Sequence, residues 1–218
     1  MGKNRLHGYK TWGVEGTKDN EQLLTAYKKA DFMHKTSYQI NLKNSIIFNT
    51  QYSTCSDIYR FDKMNDLKNG RPKYEKWYYG PQIRFFQSVK FKNMSEKFAF
   101  DKITTTLAYQ DAKESRHKQK LGEIILSNRH ENVKIYDLMI DLNKLLNNVA
   151  LLYGGGIRKQ NIYSKANFSY NNITSYNTTR YPSGGSIVND YFTYMQSNIY
   201  INKKVDLICM PAAFTAIT

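Results

Sequence analysis

A period-two alternation of apolar and polar side chains, recurring in runs of strand length, limits this chain more than any other feature. Tyr38, Ile40 and Leu42 alternate with Gln39 and Asn41. After a turn at Lys43 and Asn44, Ile46, Phe48 and Tyr52 alternate with Asn49, Gln51 and Ser53. Successive side chains of a strand leave on opposite faces, so this is a hairpin with one greasy and one polar face. The pattern returns at Ile83, Phe85, Val89 and Phe91 opposite Arg84, Ser88 and Lys90. It returns again at Ile103, Thr105, Leu107 and Tyr109 opposite Lys102, Thr104, Thr106 and Gln110. Tyr136, Leu138, Ile140 and Leu142 oppose Asp137, Met139, Asp141 and Asn143, and Val149, Leu151 and Tyr153 follow a short turn at 146–148. A last strand pair begins over 188–201 and resumes at Lys204.

The connections are as informative as the runs. Turns of a few residues alternate with polar stretches over 54–74, 111–131 and 158–186. Structureless connections beyond about 15 residues are uncommon in compact soluble domains. Outer-membrane barrels combine short turns at one end with long loops at the other. A soluble barrel would also fill its interior with apolar side chains, whereas the faces opposite the grease here are polar or charged. Lipid requires that inverted arrangement. The expected fold is all-β: an antiparallel transmembrane β-barrel, partial, with about eight strands of a larger barrel.

Composition narrows the alternatives. No stretch approaches the about 18–20 consecutive apolar residues that a spanning helix needs. The 18 Tyr and 11 Phe against 2 Trp suit strands and membrane interfaces, though on composition alone an ordinary soluble all-β protein fits equally well. The formal charge of +14 admits nucleic acid or an anionic surface as partner, but the lysines are scattered, with short pairs such as Lys28 and Lys29, and no basic run of five. Cys55 and Cys209 have neither metal nor disulfide-framework spacing and read as free thiols. Gly and Pro are sparse and no repeat or linker divides the chain. Residues 19–29 read equally as a loop or as a short helix, capped by Asp19 with Gln22 three residues on and Leu23, Leu24 and Tyr27 on one face. Asn69 and Gly70 signal a tight turn.

No residue carries a catalytic signature. His7, His34, His117 and His130 lack metal-ligand spacing and read as solvated loop histidines. Asp111, Glu114, Glu123 and Glu131 mix with Arg116, Lys118, Lys120 and Arg129 and read as screened surface charge. Gly154, Gly155 and Gly156 lack the Lys and Ser/Thr of a phosphate loop and read as close packing or a bulge within a strand. The sequon at Asn172 carries no weight without a glycosylating route.

Several segments resemble TonB-dependent receptors of Gram-negative outer membranes, in particular the haem, haemoglobin and siderophore receptors. They are 2–9 (GKNRLHGY), 51–60 (QYSTCSDIYR), 73–82 (KYEKWYYGPQ), 108–116 (AYQDAKESR), 129–133 (RHENV) and 179–185 (TRYPSGG). The resemblance covers almost the whole chain, and 73–82 is its most specific part. It implies a 22-stranded barrel plugged by an N-terminal globular domain. Ligand binds from outside, and the TonB complex of the inner membrane pulls on the plug to release it. By that resemblance Trp77, Tyr78 and Tyr79 belong to an aromatic girdle rather than to a base-stacking platform.

The departures are expectations too. No signal-peptide core, TonB box or plug is visible, and Met1 corresponds to a position inside the barrel. Residues 1–206 are expected to form the partial receptor barrel, and 207–218 (LICMPAAFTAIT) an aberrant tail from a frameshift or premature stop. The chain is thus expected to be a non-enzymatic fragment of an outer-membrane receptor importing a scarce solute, such as an iron–siderophore complex or haem. Its partners would be outer-membrane lipid, the solute and, through the missing plug, the TonB complex, with no cofactor, metal or nucleic acid. The competing expectation is a soluble basic β protein that binds nucleic acid through aromatics and Lys/Arg. A third is a fragment inert alone, whose unpaired edges lead to aggregation.

Overall fold

The computed structural model describes residues 25–171, 173–202, 205–210 and 214–217. His7, the segment 2–9, residues 19–24 of the possible helix, and Asn172 lie outside the described residues; 25–28 carry no regular structure. The elements in chain order are β1 (Lys29–Gln39), β2 (Asn44–Cys55), β3 (Ile58–Tyr59), α1 (Phe61–Met64), β4 (Leu67–Lys68), β5 (Arg71–Pro72), β6 (Tyr74–Tyr79), β7 (Ile83–Met94), β8 (Lys102–Lys120), β9 (Leu126–Leu146), β10 (Val149–Tyr170), β11 (Ile173–Tyr176), β12 (Ser186–Asn202), β13 (Val205–Cys209) and β14 (Phe214–Ile217). The fold is all-β, one large antiparallel sheet with almost no helix. Its main path, β1-β2-β7-β8-β9-β10-β12-β13, has the eight strands that the alternation predicts. Among the described residues the path does not close on itself: β1 pairs only with β2, and β13 and β14 pair only with β12. Pairing within β13 runs through the boundary expected at 206/207.

The alternation becomes a two-faced wall. Phe48, Val89, Leu107, Leu138, Ile157 and Tyr191 are successive cross-strand partners, so they form one apolar row across six strands. That face is the more open one. On β9, Leu138 and Ile140 are 37% and 38% exposed, while Asp137, Met139 and Asp141 between and beside them are half-buried. Leu107 on β8 is 55% exposed, while Thr104 on the other face is 6%. Tyr74 is the one buried hydrophobic residue among those described, and Thr104, Ser127 and Ser164 are buried on the polar side. The sheet therefore curves with its apolar side convex and its polar side enclosed.

Polar side chains pair along the concave face. Arg158 donates to Asp137 at 2.6 Å, and Arg84 reaches both Gln110 and Gln51. The Tyr194 hydroxyl on β12 donates to Asp141 on β9, two strands away. It can do so because Gly154 lies between them: a Cβ there would sit 2.1 Å from the Ile140 carbonyl oxygen and 2.9 Å from the Tyr194 hydroxyl. Phe192 covers Gly156 in the same way, with its ring 2.7 Å from where a Cβ would stand. The β10–β12 register runs unbroken over these positions, so of the two readings of the glycine triplet, close packing holds and a bulge does not.

The long polar connections differ from expectation. Residues 111–131 are not a loop: β8 and β9 continue as 19- and 21-residue strands and meet in a turn over 121–125, where Gly122 takes φ +78. Alternation marks a strand only where its two faces meet different media. Beyond the apolar band both faces are polar, and the signal vanishes while the strand goes on. Over 158–186 the same holds, with β10 reaching Tyr170 and β11 folding back on it. Within 54–82, β6 and β7 lie end to end along β8, broken at Gly80 and Pro81. A Cβ at Gly80 would meet Asp57 at 2.3 Å, and Pro81 has no N–H to give the ladder. The hairpin β4–β5 turns at Asn69 (φ 54) and Gly70 (φ 75), as its sequence predicts.

Candidate functional site

Above the apolar band, the strand extensions gather charge on the concave face. Glu114 on β8 stands directly opposite Glu131 on β9, and Arg116 directly opposite Arg129. Arg180, from the connection before β12, approaches Glu131 at 3.7 Å. Tyr79, at the end of β6, pairs with Arg116, whose guanidinium lies 5.0 Å over the tyrosine ring. Arg60, between β3 and α1, donates to the Tyr79 hydroxyl at 2.7 Å and grips Asp62 through Nε (2.7 Å) and Nη2. Five of the segments singled out in the sequence, 51–60, 73–82, 108–116, 129–133 and 179–185, each supply a member of this cluster.

Its electrostatics are those of a basic rim around two facing carboxyls. Burial pushes the Glu131 carboxyl above its usual range, and the hydrogen bond with Glu114 pushes it further; Arg180 and Arg116 pull the other way. The Glu114 carboxylate beside Glu131 works against its ionisation. The Nε atoms of Arg116 and Arg129 are buried with no protein acceptor. The cleft among these side chains is only about 10 Å³, room for about one water, so any solute is met from above rather than enclosed. Paired guanidiniums there suit a carboxylate or phosphate oxygen.

Surface charge therefore describes Glu123, which is exposed beside Lys120 at 2.8 Å, but not Glu114 and Glu131. Asp111 faces the other side, 3.5 Å from Lys113 and 2.6 Å from the Asn132 amide. The histidines also depart from expectation. His117 and His130 are strand residues packed edge to face at 5.4 Å, and Tyr78 stacks on His117 at 4.7 Å. His117 is locked: Nδ1 contacts the Asn128 amide oxygen at 2.7 Å and Nε2 the Ser115 hydroxyl at 2.9 Å. Burial lowers the His130 pKa, and His117 beside it adds to that. His34 is exposed on β1. A charge-rich stretch hides its strand periodicity, which is why these residues read as loop positions.

Trp77, Tyr78 and Tyr79 are not at the border of the apolar band. Tyr78 pairs with His117, eight residues along β8 from Tyr109, about 26 Å away. The aromatics that do border the band are Phe85, Tyr109 and Tyr136, in ring contact at 6.3 and 5.2 Å. Nor are the Trp77–Tyr79 rings open platforms: Tyr74 meets Trp77 at 4.8 Å, and Arg60 lies 5.4 Å over Trp77 and 5.5 Å over Tyr79. Cys55 and Cys209 are free. Comparison with protein-family models and with curated proteins finds no match to this chain.

Proposed function

We propose that this chain is part of the wall of an outer-membrane barrel of the TonB-dependent receptor type, which captures a scarce anionic solute, such as an iron–siderophore complex or haem, at its outer mouth for import. The inverted wall carries this reading: apolar rows on the open convex face, ion pairs on the enclosed one. On β9 the apolar positions of the convex face run from Tyr136 to Leu142, with Lys144 next in line and Leu146 beyond it. The convergence of five receptor-like segments on one basic rim supports the receptor assignment within that class. Arg116, Arg129 and Arg180 would meet the solute, with Glu114 and Glu131 setting their charge. The import step belongs to the TonB complex and a plug.

Cell fractionation and gel migration test the reading. The protein should partition with the outer membrane and run faster before boiling than after. Recovery in the aqueous fraction, with retention on a polyanion column that falls steeply with salt, would instead favour the nucleic-acid reading.

A further inference from the structure

The convex face is not uniformly apolar. Just above the band, Lys113 on β8, Lys134 on β9 and Lys159 on β10 each occupy the next register position down from the one before. Groups at a common depth on tilted strands are displaced in that way. Lys165, further along β10, stands opposite His130. Of these four lysines only Lys113 has an ion-pair partner among the described residues, Asp111. Asp111 is also the one acid on this face of β7, β8, β9, β10 and β12, whereas Glu114, Glu131, Asp137, Asp141 and Asp190 all face inward.

Directly beneath the lysines the same face carries a groove of about 480 Å³. Val89, Leu107, Tyr109, Tyr136, Leu138 and Ile157 line it, and Lys159 forms part of its lip. Lys159 pairs with Tyr136, and Lys134 lies two residues from Tyr136 on the same strand, so the two lysines are diagonal neighbours about 7–8 Å apart at the backbone. Long ammonium side chains at that spacing reach a common anion above an apolar surface.

We propose that this face seats an anionic lipid, with an acyl chain in the groove and the headgroup phosphate held by Lys134 and Lys159. The inference rests on the membrane-wall reading. Basic groups beside a bilayer draw anionic headgroups, and here an apolar slot for the chain lies directly below them.

Vesicle flotation of the refolded full chain tests it. Phosphatidylcholine vesicles are compared with vesicles that also hold phosphatidylglycerol. Association should occur with both and be about tenfold tighter with the anionic ones at low salt. Lys134→Gln with Lys159→Gln should abolish the gain. Lys90→Gln with Lys92→Gln changes net charge equally on the inward face and should keep it. Equal loss in both pairs would mean diffuse attraction and overturn the site, as would an undiminished gain in the first pair. Soluble glycerol phosphate should not compete; full competition would assign the lysines to free phosphate. Association with neither vesicle would count against the membrane wall itself, whereas equal association with both leaves the wall standing and removes the lipid site.

Discussion

Single residues in this sheet act through what lies across from them. Gly154 and Gly156 are required by the Tyr194 and Phe192 rings that lie over them, not by backbone angle. Gly154→Ala should cost about 1–3 kcal/mol in a denaturant titration, because the new methyl meets a carbonyl that the ladder holds in place. Glu131 behaves differently. Its folded-state pKa is raised, so its contribution to stability is present at acid pH and is lost as pH rises through the folded value. Glu131→Gln should flatten that fall, and melting temperature followed against pH is the check; an unchanged slope would remove Glu131 from the account. His130 has the opposite sign: with its pKa lowered, it opposes folding as pH falls, so Glu131→Gln should leave an acid-side loss intact.

At the scale of the strand, the two faces of β9 should respond oppositely to charge. Leu138→Arg places a guanidinium on the exposed apolar row, and in lipid this should cost about 2–4 kcal/mol. Met139→Arg, one residue away on the face that already holds Arg158 and Asp137, should cost far less. Refolding yields of the two variants into vesicles measure the difference, and equal yields would remove the lipid-facing assignment. This contrast was legible in the amino-acid order: Tyr136, Leu138 and Ile140 against Asp137 and Asp141 state which side is which. The eight-strand path and the Asn69–Gly70 turn could be read in the same way. The upper halves of β8, β9 and β10 were not legible, because Lys113, Glu114, Ser115 and Arg116 give hydropathy nothing to alternate. The charged rim was half-legible: the segments that build it stood out, but no spacing along the chain places Arg116 against Arg129 or Arg180 beside Glu131.

For the molecule as a whole, the decisive fact is that the sheet stays open among the described residues. Every residue of β1 is exposed, and one side of its backbone has no strand beside it among the described residues. An edge of that length is a template for another strand. In detergent, sedimentation of the chain should therefore show species above monomer mass whose share grows with protein concentration. A monomer at all concentrations would mean that the edge is sealed by other means.

The interruption at Gly80 and Pro81 divides the load along β8. On one side β8 is zipped to β7 below it and to β6 above it, while on the other side β9 pairs with β8 straight across the gap. On the β6 and β7 side, fraying that starts at the rim meets a break in the ladder there, since the next rung belongs to a different strand. Amides of β8 that donate toward β6 and β7 should consequently change their exchange in a step near Ser115, whereas those that donate toward β9 should grade smoothly toward Lys102.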